Sequence, residues 1–420
     1  MSTKNSLSLN SFLLNNAADN RHGITFEPQI AVHSKSDLRA LYHAGVPSSV
    51  LAPWESASGG VSRNLEQAKL SAVAESLERF SASTVSLVEY LAQDLQNESV
   101  LPFNEWPLFT KAQQEDSNFP FSSIYEKQTK FVKVTSFTDN SATYVPQTLV
   151  VLRDDFETGL PTSSGLAAAT NSKVALLSSI LELIERDALM TTWLNAVVGR
   201  RIMQPNRHES EVKSLSGTCR VYDITPAYSP YPVIAVIGGI PKEGKMRYSL
   251  GVACKTTYKE ATEKAYTEWH QGVFFAGVFA KNVNTDRIKT IQDVNTFDDH
   301  AVYYSLFPEQ WSSLPILSDD KIRPKRLKIA DTPPDTLSAL KKLKQSLTRS
   351  KIRLYYIDLS GIDAIQSGVR VVRAVSPDLS MIFAHQSWPL IHRVEGFKKF
   401  RYPNDKQVVD FPFLMPHPLG

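Results

Sequence analysis

Hydrophobic and polar positions alternate along the chain with two periods, and each change of period marks a predicted element. A period near 3.6 predicts helices, and it covers residues 64–83, 172–194, 259–275 and 336–349. Short apolar or alternating runs predict strands. These runs cover residues 24–32, 131–137, 143–152, 220–224, 231–239, 247–253, 353–359 and 369–374. Because helices and strands alternate throughout, the predicted fold class is α/β or α+β.

Stretches rich in serine, glycine and proline separate these elements. Residues 56–60 and 162–165 read Ser-Ala-Ser-Gly-Gly and Thr-Ser-Ser-Gly, which predicts flexible loops before the first and second helices. Residues 1–22 read as a polar arm. Residues 284–335 are polar and contain proline, which predicts an insertion or surface excursion.

The first two helices share an internal repeat of polar side chains with the spacing S-x3-E-x2-E-R. It is formed by Ser71, Glu75, Glu78 and Arg79 in the first helix and by Ser178, Glu182, Glu185 and Arg186 in the second. The third helix carries a related pattern, Lys264-x3-Glu268-x2-Gln271. At about 100° per residue, the first three positions of each pattern fall within about 60° of one another. Each helix therefore presents one polar stripe.

Such a stripe also has an ordinary interpretation, because Glu and Arg at these spacings often form a solvated helix face. Two observations favour a shared site. Like charges on one stripe repel each other unless something positive lies against them. The complete pattern also occurs twice, about a hundred residues apart, and each copy follows a Ser/Gly-rich loop.

Four carboxylates, those of Glu75, Glu78, Glu182 and Glu185, suit a hard cation with oxygen ligands, above all Mg²⁺. Mg²⁺ usually takes one or two protein carboxylates and completes its shell with water and phosphate oxygens. The four would therefore serve two or more ions that hold a triphosphate, and Lys264 could meet a phosphate as a point charge. The sequence has no Walker A motif and no kinase glycine-rich loop, so a nucleotide site here must hold phosphates through metal.

Composition and charge narrow the function classes. The net charge of +3 gives no strong basic field for nucleic acid. The two cysteines, Cys219 and Cys254, are far apart and the nine histidines lack ligand spacing, which excludes a zinc knuckle and fits a reducing cytoplasm. The N-terminus lacks the apolar run of a secretory signal, and no segment reaches the ~18–20 apolar residues that span a bilayer.

Together these motifs resemble the YcaO family, whose ATP site is built from helices of the S-x3-E-x2-E type. Three further segments match: residues 163–168 resemble the family's loop before the second helix, residues 259–271 its third helix, and residues 371–377 its late V-V-R-V-x-x-P strand. The resemblance covers about residues 50–420. One departure is Lys264, which stands where many members carry arginine and lacks the bidentate guanidinium.

The resemblance implies a YcaO fold, in which mixed sheets pack with helices and the repeated helices surround a nucleotide cavity. It implies that the four carboxylates ligate Mg²⁺ and that a larger set binds ATP. That set comprises Ser71, Glu75, Glu78, Arg79, Ser178, Glu182, Glu185, Arg186, Lys264, Glu268, Gln271 and Arg373. The chain would divide into residues 1–50, an N-terminal arm and strand available for partner contact, and residues 51–420, the catalytic domain.

The end of the chain helps to choose among the family's reactions. Members that install azolines typically end in a Pro-rich tail, and residues 411–420 resemble it, so Pro416, Pro418 and Gly420 are expected at or near the chemistry. Proline stiffens such a segment, whereas the alternative interpretation is a disordered end. The implied reaction is ATP-dependent cyclodehydration of Cys, Ser or Thr residues in a ribosomal precursor peptide, as in thiazole/oxazole-modified peptide biosynthesis.

The resemblance also implies partners, namely the precursor peptide, an E1-like leader-binding protein and a flavin-dependent azoline dehydrogenase. Three other functions remain open at this point. ATP-dependent thioamidation or amidine formation shares the nucleotide site, although the Pro-rich tail argues against it. A non-catalytic accessory subunit is disfavoured by the intact glutamates. A helical protein that binds Mn²⁺ or Fe²⁺ without nucleotide is disfavoured because the stripes contain no histidine.

Overall fold

The computed structural model describes residues 13–31, 38, 41–47, 58–122, 124, 129–153, 160, 162–202, 207–282, 284–318 and 332–419. The α-helices with described bounds are α1 (Leu65–Thr84), α2 (Lys111–Gln114), α3 (Ser172–Leu194), α4 (Arg207–Ser214), α5 (Tyr258–Asn282), α6 (Phe297–Leu306), α7 (Thr336–Arg349), α8 (Ile362–Gln366) and α9 (Val394–Arg401). The strands are β1 (Gln29–Ile30), β2 (Tyr42–Val46), β3 (Ser58–Ser62), β4 (Tyr90–Leu91), β5 (Lys130–Ser136), β6 (Ala142–Pro146), β7 (Leu166–Ala169), β8 (Arg200–Arg201), β9 (Thr218–Asp223), β10 (Val233–Lys242), β11 (Lys245–Cys254), β12 (Tyr355–Asp358) and β13 (Arg370–Val375).

These strands form three sheets. The N-terminal sheet has the order β1-β2-β3, the four-stranded sheet has the order β11-β10-β9-β8, and the six-stranded sheet runs β4-β5-β12-β13-β7 with β6 also paired to β5. Every pairing between these strands is antiparallel. The predicted α/β or α+β class is confirmed, and the antiparallel pairing selects α+β.

Three long helices hold the sheets together. The helix α5 packs along β10 and β11 of the four-stranded sheet, and its apolar face buries Tyr266 and Trp269. The helix α1 contacts β2 and β3 of the N-terminal sheet and β7 of the six-stranded sheet. The helix α3 contacts β7 and β13 on one side and β11 on the other. The two repeat-bearing helices, α1 and α3, therefore each bridge two sheets.

The predicted flexible loop at residues 56–60 is partly wrong, because Ser58–Ser62 is strand β3. Residues 56 and 57 lie outside the described residues. The glycines of this segment permit close packing: a Cβ on Gly60 would lie 2.0 Å from the Ala68 carbonyl oxygen on α1. Glycine in a strand often marks such an approach of another backbone.

The predicted surface excursion at residues 284–335 is also partly wrong. The helix α6 lies within it and is largely buried, including Asp299 and His300. Their polar side chains are buried because they have partners: Asp299 pairs with Arg287, and His300 faces two backbone carbonyls. Residues 319–331 lie outside the described part of the chain.

Two predicted boundaries can be compared with the structure by position, the end of the strand at residues 143–152 and the division of the chain at residue 50. The strand predicted for residues 143–152 ends at Pro146, where β6 gives way to a 3₁₀ turn, because proline cannot donate the next ladder hydrogen bond. The division of the chain at residue 50 stays a prediction. Across that position β2 pairs with β3, so segments from both sides contribute to the N-terminal sheet.

We predict that Gly60→Ala destabilises the fold by at least about 1–3 kcal/mol, because the added methyl group would collide with the backbone of α1. Urea unfolding measures this change as a drop in the free energy of unfolding. Gly361→Ala is the matched control, since a Cβ there meets nothing within 4 Å. Equal stability of the two variants would contradict the close β3–α1 packing.

Candidate functional site

The helices α1 and α3 carry the two polar stripes into the interior. Each helix begins at an asparagine cap: Asn64 accepts a hydrogen bond from the Gln67 amide, and Asn171 accepts one from the Val174 amide. The predicted helices at residues 64–83 and 172–194 are confirmed. Since both helices touch β7, their stripes face the same region of the molecule.

Three of the four stripe carboxylates accept a hydrogen bond from a backbone N–H, and each N–H belongs to the edge strand of a different sheet. The bonds run from Gly59 N to Glu75 Oε2 (2.6 Å), from Ala168 N to Glu78 Oε2 (2.8 Å) and from Cys254 N to Glu185 Oε2 (3.1 Å). The strands are β3, β7 and β11. All three sheets thus meet at one group of glutamates. We call Glu75, Glu78, Glu182 and Glu185 the carboxylate cluster.

Arginines of the repeat lie beside the carboxylate cluster. Arg79 donates to Glu75 Oε1 at 2.8 Å, one helical turn away. Arg186 lies 3.6 Å from Glu182 and 4.0 Å from Glu185, measured between guanidinium nitrogen and carboxylate oxygen. Each arginine therefore compensates part of the negative charge on its own helix.

The pKa values show that this compensation is incomplete. Burial, together with the charges of Glu182 and Glu75, raises the pKa of Glu78 to about 8. Burial and the charge of Glu268 raise the pKa of Glu185 to about 8, although Arg186 opposes the shift. Burial also raises the pKa of Glu182. Carboxylates from α1, α3 and α5 thus repel one another across a shared, poorly hydrated space.

This arrangement fits Mg²⁺ held together with phosphate. In the described part of the chain, no three His, Cys, Asp or Glu side chains are grouped so that they alone could hold one metal ion. Mg²⁺ does not need such a cage, because it usually takes few carboxylates and completes its shell with water and phosphate oxygens. Repulsion among neighbouring carboxylates is the condition that a divalent cation relieves.

Positive side chains lie around the carboxylate cluster. The buried Arg373 on β13 donates to the Thr162 carbonyl oxygen at 2.6 Å, and its charge acts on Glu182 and Glu78. Burial lowers the Arg373 pKa to about 10. Lys264 on α5 lies 3.0 Å from Glu268, and the charge of that carboxylate raises the Lys264 pKa. These contacts place both residues near the cluster, as predicted.

Lys255 is a further positive residue near the cluster that was not predicted from the sequence. It follows β11 directly, and its charge lowers the pKa values of both Glu182 and Glu185. Lys255 is half-buried. No repeat or motif marks this lysine, and only its position at the end of a buried strand could have drawn attention to it.

The remaining predicted ATP residues lie close to the same region. Gln271 packs against β3, since a Cβ on Gly59 would lie 2.5 Å from its Nε2. Ser71 packs against Gly60 of the same strand. Ser178 lies one turn before Glu182 on α3, whereas its neighbour Ser179 is the residue that donates to the Gly165 carbonyl oxygen, at 2.6 Å.

Asp187, which follows the repeat on α3, belongs to a separate buried network. Its carboxylate lies 2.6 Å from the Arg401 guanidinium and accepts a hydrogen bond from the Tyr228 hydroxyl at 2.8 Å. The Ser380 amide donates to its other oxygen at 2.7 Å. Asp187 therefore fixes α3 against α9 and the segment around Ser380.

The Pro-rich tail is ordered from residue 411 to residue 419, so the disordered-end interpretation is wrong for these residues. Pro416, His417 and Pro418 are buried. The Trp193 indole N–H donates to the Met415 carbonyl oxygen at 2.7 Å, which fastens the tail to α3. Burial lowers the pKa of His417, and the charges of His300 and Arg186 contribute in the same direction. The tail thus runs close to the carboxylate cluster, and Gly420 lies outside the described residues.

A family model provides the deciding comparison. The model for YcaO, described as a cyclodehydratase that binds ATP and Mg²⁺, matches residues 59–380. The chain belongs to the YcaO family. The matched range contains the whole carboxylate cluster together with Lys255, Lys264 and Arg373. ATP and Mg²⁺ are the ligands of this family, and the cluster is the part of the described chain that suits them.

Solved structures support the YcaO fold. A heterocyclase in complex with substrate and cofactor is 16% identical over 96% of this chain, with a TM-score of 0.70, and this chain spans 57% of its length. The YcaO of Methanopyrus kandleri bound with AMPPCP and Mg²⁺ is 15% identical over 90% of this chain and 91% of its own, with a TM-score of 0.65. A chain of the E. coli microcin synthetase McbBCD complex is 16% identical over 92% of this chain and 98% of its own, with a TM-score of 0.63.

Two negative findings complete the comparisons. No curated protein sequence matches this chain. Among the described residues, no helix combines the length and the apolar character needed to cross a bilayer.

The raised pKa values lead to a pH prediction. Unfolding returns Glu78 and Glu185 from about 8 to an ordinary value near 4.5, so the folded, metal-free protein holds more protons than the unfolded chain between these limits. The free energy of unfolding must therefore fall as the pH rises through this window. We predict that the Tm in EDTA falls from about pH 5 to about pH 8.

Mg²⁺ with a non-hydrolysable ATP analogue should raise the Tm more at pH 8 than at pH 5.5, because protons compete with the metal for the carboxylates. Differential scanning calorimetry measures both effects. Glu78→Gln stays neutral at every pH and should show a weaker decline of Tm. An equally steep decline in that variant would show that Glu78 does not titrate in this window.

Proposed function

We propose that this YcaO protein catalyses ATP-dependent cyclodehydration of Cys, Ser or Thr residues in a ribosomal precursor peptide, giving thiazolines or oxazolines. The observation that carries the proposal is that the Pro-rich tail is bonded to α3 and β11, the helix and the strand that also supply Glu185 and its backbone donor. The cluster would supply a site for metal and triphosphate. The tail resembles the Pro-rich segment with which azoline-forming members of the family end.

We assign the binding of Mg²⁺ and ATP to the carboxylate cluster. Glu75, Glu78, Glu182 and Glu185 would hold Mg²⁺, which when bound neutralises triphosphate charge and orients the γ-phosphate. Lys255, Lys264 and Arg373 would face phosphate oxygens as fixed positive charges. The further contacts proposed for ATP are those of Ser71, Arg79, Ser178, Arg186, Glu268 and Gln271.

The peptide end of the reaction requires removal of a backbone oxygen. The thiol or hydroxyl of the substrate adds to the preceding carbonyl carbon, and this adduct reverts unless its oxygen becomes a leaving group. Transfer of the γ-phosphoryl group from ATP to that oxygen releases ADP. Loss of phosphate together with the amide proton then forms the C=N bond. Each ring therefore removes the elements of one water from the peptide and consumes one ATP. The protein holds the adduct oxygen and the γ-phosphorus in line.

The tail would border the place where the adduct forms. Pro416 and Pro418 are buried near α3, and the chain continues from there towards Gly420. We assign these three residues to the catalytic end of the site, where Pro416 and Pro418 order the peptide and the segment at Gly420 orders it or helps to remove a proton. A stiff, water-excluding segment at this position also protects the phosphorylated oxygen from hydrolysis.

The proposed assembly has further members. A solved structure of the E. coli microcin synthetase McbBCD complex contains bound pro-MccB17, and this chain superposes on one of its chains with a TM-score of 0.60 and 16% identity. We propose an analogous arrangement, in which an E1-like partner captures the leader of the precursor peptide. A flavin-dependent azoline dehydrogenase would then oxidise the rings. The N-terminal residues 1–50 are assigned to partner contact and residues 51–420 to catalysis.

The cytoplasm is the proposed compartment, since both cysteines are buried free thiols, as is usual for a protein of a reducing compartment. Thioamidation or amidine formation would use the same nucleotide site with a different nucleophile. Mass spectrometry of the peptide product separates the reactions, because cyclodehydration removes one water per ring whereas thioamidation exchanges oxygen for sulfur. An accessory subunit would hydrolyse no ATP with partner and peptide present.

We predict that Glu182→Gln abolishes ATP turnover while the fold stays intact, because the substitution removes a charge from the proposed metal site without changing side-chain volume. Coupled ADP release, assayed with partner and precursor peptide, measures turnover, and circular dichroism checks the fold. The matched control is Glu66→Gln on the exposed first turn of α1, which should turn over ATP normally. Normal turnover by Glu182→Gln would remove Glu182 from the site.

We predict that deleting residues 416–420 stops ring formation with little loss of nucleotide binding, since the carboxylate cluster stays in place. Mass spectrometry of the peptide and titration with a fluorescent ATP analogue measure the two effects. His417 is a buried ring, so a shorter deletion of residues 419–420 separates the role of the end from packing. Full ring formation by both truncated enzymes would refute the tail assignment.

A further inference from the structure

Five consecutive carbonyl groups of the tail, from Leu414 to Pro418, each meet a hydrogen-bond donor. The donors are Gln386 Nε2 for Leu414 (2.8 Å), Trp193 Nε1 for Met415 (2.7 Å), Tyr304 OH for Pro416 (2.7 Å) and Leu250 N for Pro418 (3.3 Å). His300 Nδ1 lies 3.0 Å from the His417 carbonyl oxygen and donates to it in the tautomer that carries its proton on Nδ1. Four of the five donors are side chains. They come from α3, α6 and the segment after β13, and β11 supplies the backbone donor.

The chemistry of proline explains why the tail is held in this way. Pro416 and Pro418 have no N–H, so those residues can be fixed only through their carbonyl oxygens. The surrounding side chains are nearly inaccessible to solvent: Tyr304 is 1% exposed and His300 is 0% exposed. A buried donor without an acceptor is costly, so each of these side chains holds the tail in one register.

The donors on α6 are aimed at the tail. His300 and Tyr304 lie one helical turn apart, and each meets a carbonyl oxygen of neighbouring tail residues. The His300 ring also stacks on the His417 ring, with centroids 4.0 Å apart. Tyr303, the residue beside Tyr304, instead packs its ring against Tyr304 and Phe307. Of these two adjacent tyrosines on α6, Tyr304 bonds to the tail, whereas Tyr303 contributes ring packing.

The same framework carries the carboxylate cluster. Trp193 and Glu185 lie on α3, so the helix that presents a metal-site carboxylate also holds the Met415 carbonyl. Leu250 lies on β11, whose last residue, Cys254, donates to Glu185. The elements that hold the tail and the elements that carry the cluster are therefore shared at α3 and β11.

We propose that Tyr304 and His300 are positioning residues that fix the register of the C-terminal tail at the active site of this enzyme. Neither residue needs to touch the substrate, since each acts through a carbonyl group of the tail. The effect on catalysis rests on the proposed cyclodehydration, whereas the effect on tail order does not. The effect on catalysis and the effect on tail order therefore need separate measurements.

The first test compares Tyr304→Phe with Tyr303→Phe in the full chain. Hydrogen–deuterium exchange of the C-terminal peptide reports tail order without any reaction. Tyr304→Phe should speed the exchange of the tail amides and lower the kcat of ring formation by about 10-fold, with the ATP KM unchanged. Tyr303→Phe should change none of these quantities. Tail exchange in Tyr304→Phe as slow as in the wild type would overturn the proposal.

The second test uses the two nitrogens of His300. Asparagine places an amide donor near the position of Nδ1, which faces the tail, whereas glutamine places one near Nε2, which faces the Ala384 carbonyl oxygen at 2.8 Å. His300→Asn should therefore keep more tail protection and more kcat than His300→Gln. Equal protection in the two variants, or better protection in His300→Gln, would show that His300 acts through packing alone and would overturn its assignment.

The two readouts also separate this inference from the proposed function. If the wild-type enzyme forms no azoline with its partner and peptide, the proposed function fails, yet the exchange experiment still decides whether Tyr304 and His300 order the tail. If rings form and tail exchange responds as expected but kcat does not change, the tail contacts are structural and the positioning role is overturned.

Discussion

Like charges buried side by side repel each other, and the protein concentrates this repulsion at the carboxylate cluster. The Glu185 side chain is 10% exposed and its pKa is raised to about 8. Burial and the nearby charge of Glu268 thus disfavour the ionised form of Glu185 while no cation is bound. Arg186, which lies against Glu182 and Glu185, opposes this shift only in part. A divalent cation shared with a polyphosphate, as we propose for this cluster, would relieve this repulsion.

Edge strands of the three sheets donate hydrogen bonds to the carboxylate cluster. An edge strand presents unpaired N–H groups, which a fold must cover or pair. Here β3, β7 and β11 each direct one such N–H to a glutamate, so that edge groups orient the carboxylates. Because α1 and α3 each contact two sheets, the positions of the helices and of the edges depend on one another. The tail is bonded to the same framework, because its carbonyl groups accept hydrogen bonds from α3, α6 and β11.

Local sequence patterns predicted the parts of the site that lie within one helix. The bounds of α3 and α7 and the polar stripes follow from spacing and caps. The rest depends on contacts between distant segments. Gly59 and Gly60 read as a flexible loop because their close approach to α1 and α5 is invisible in the sequence. The burial of α6 depends on a tail more than a hundred residues away, and Lys255 has no motif, only a place at the end of β11.

Diffraction from crystals grown with Mn²⁺ and a non-hydrolysable ATP analogue tests the central claim most directly, since Mn²⁺ substitutes for Mg²⁺ and gives an anomalous signal. The account predicts anomalous peaks in contact with carboxylate oxygens of Glu75 or Glu78 on α1 and of Glu182 or Glu185 on α3, with phosphate oxygens completing each shell. Nucleotide bound elsewhere, with the four carboxylates bonded only to backbone amides and arginines, would contradict it.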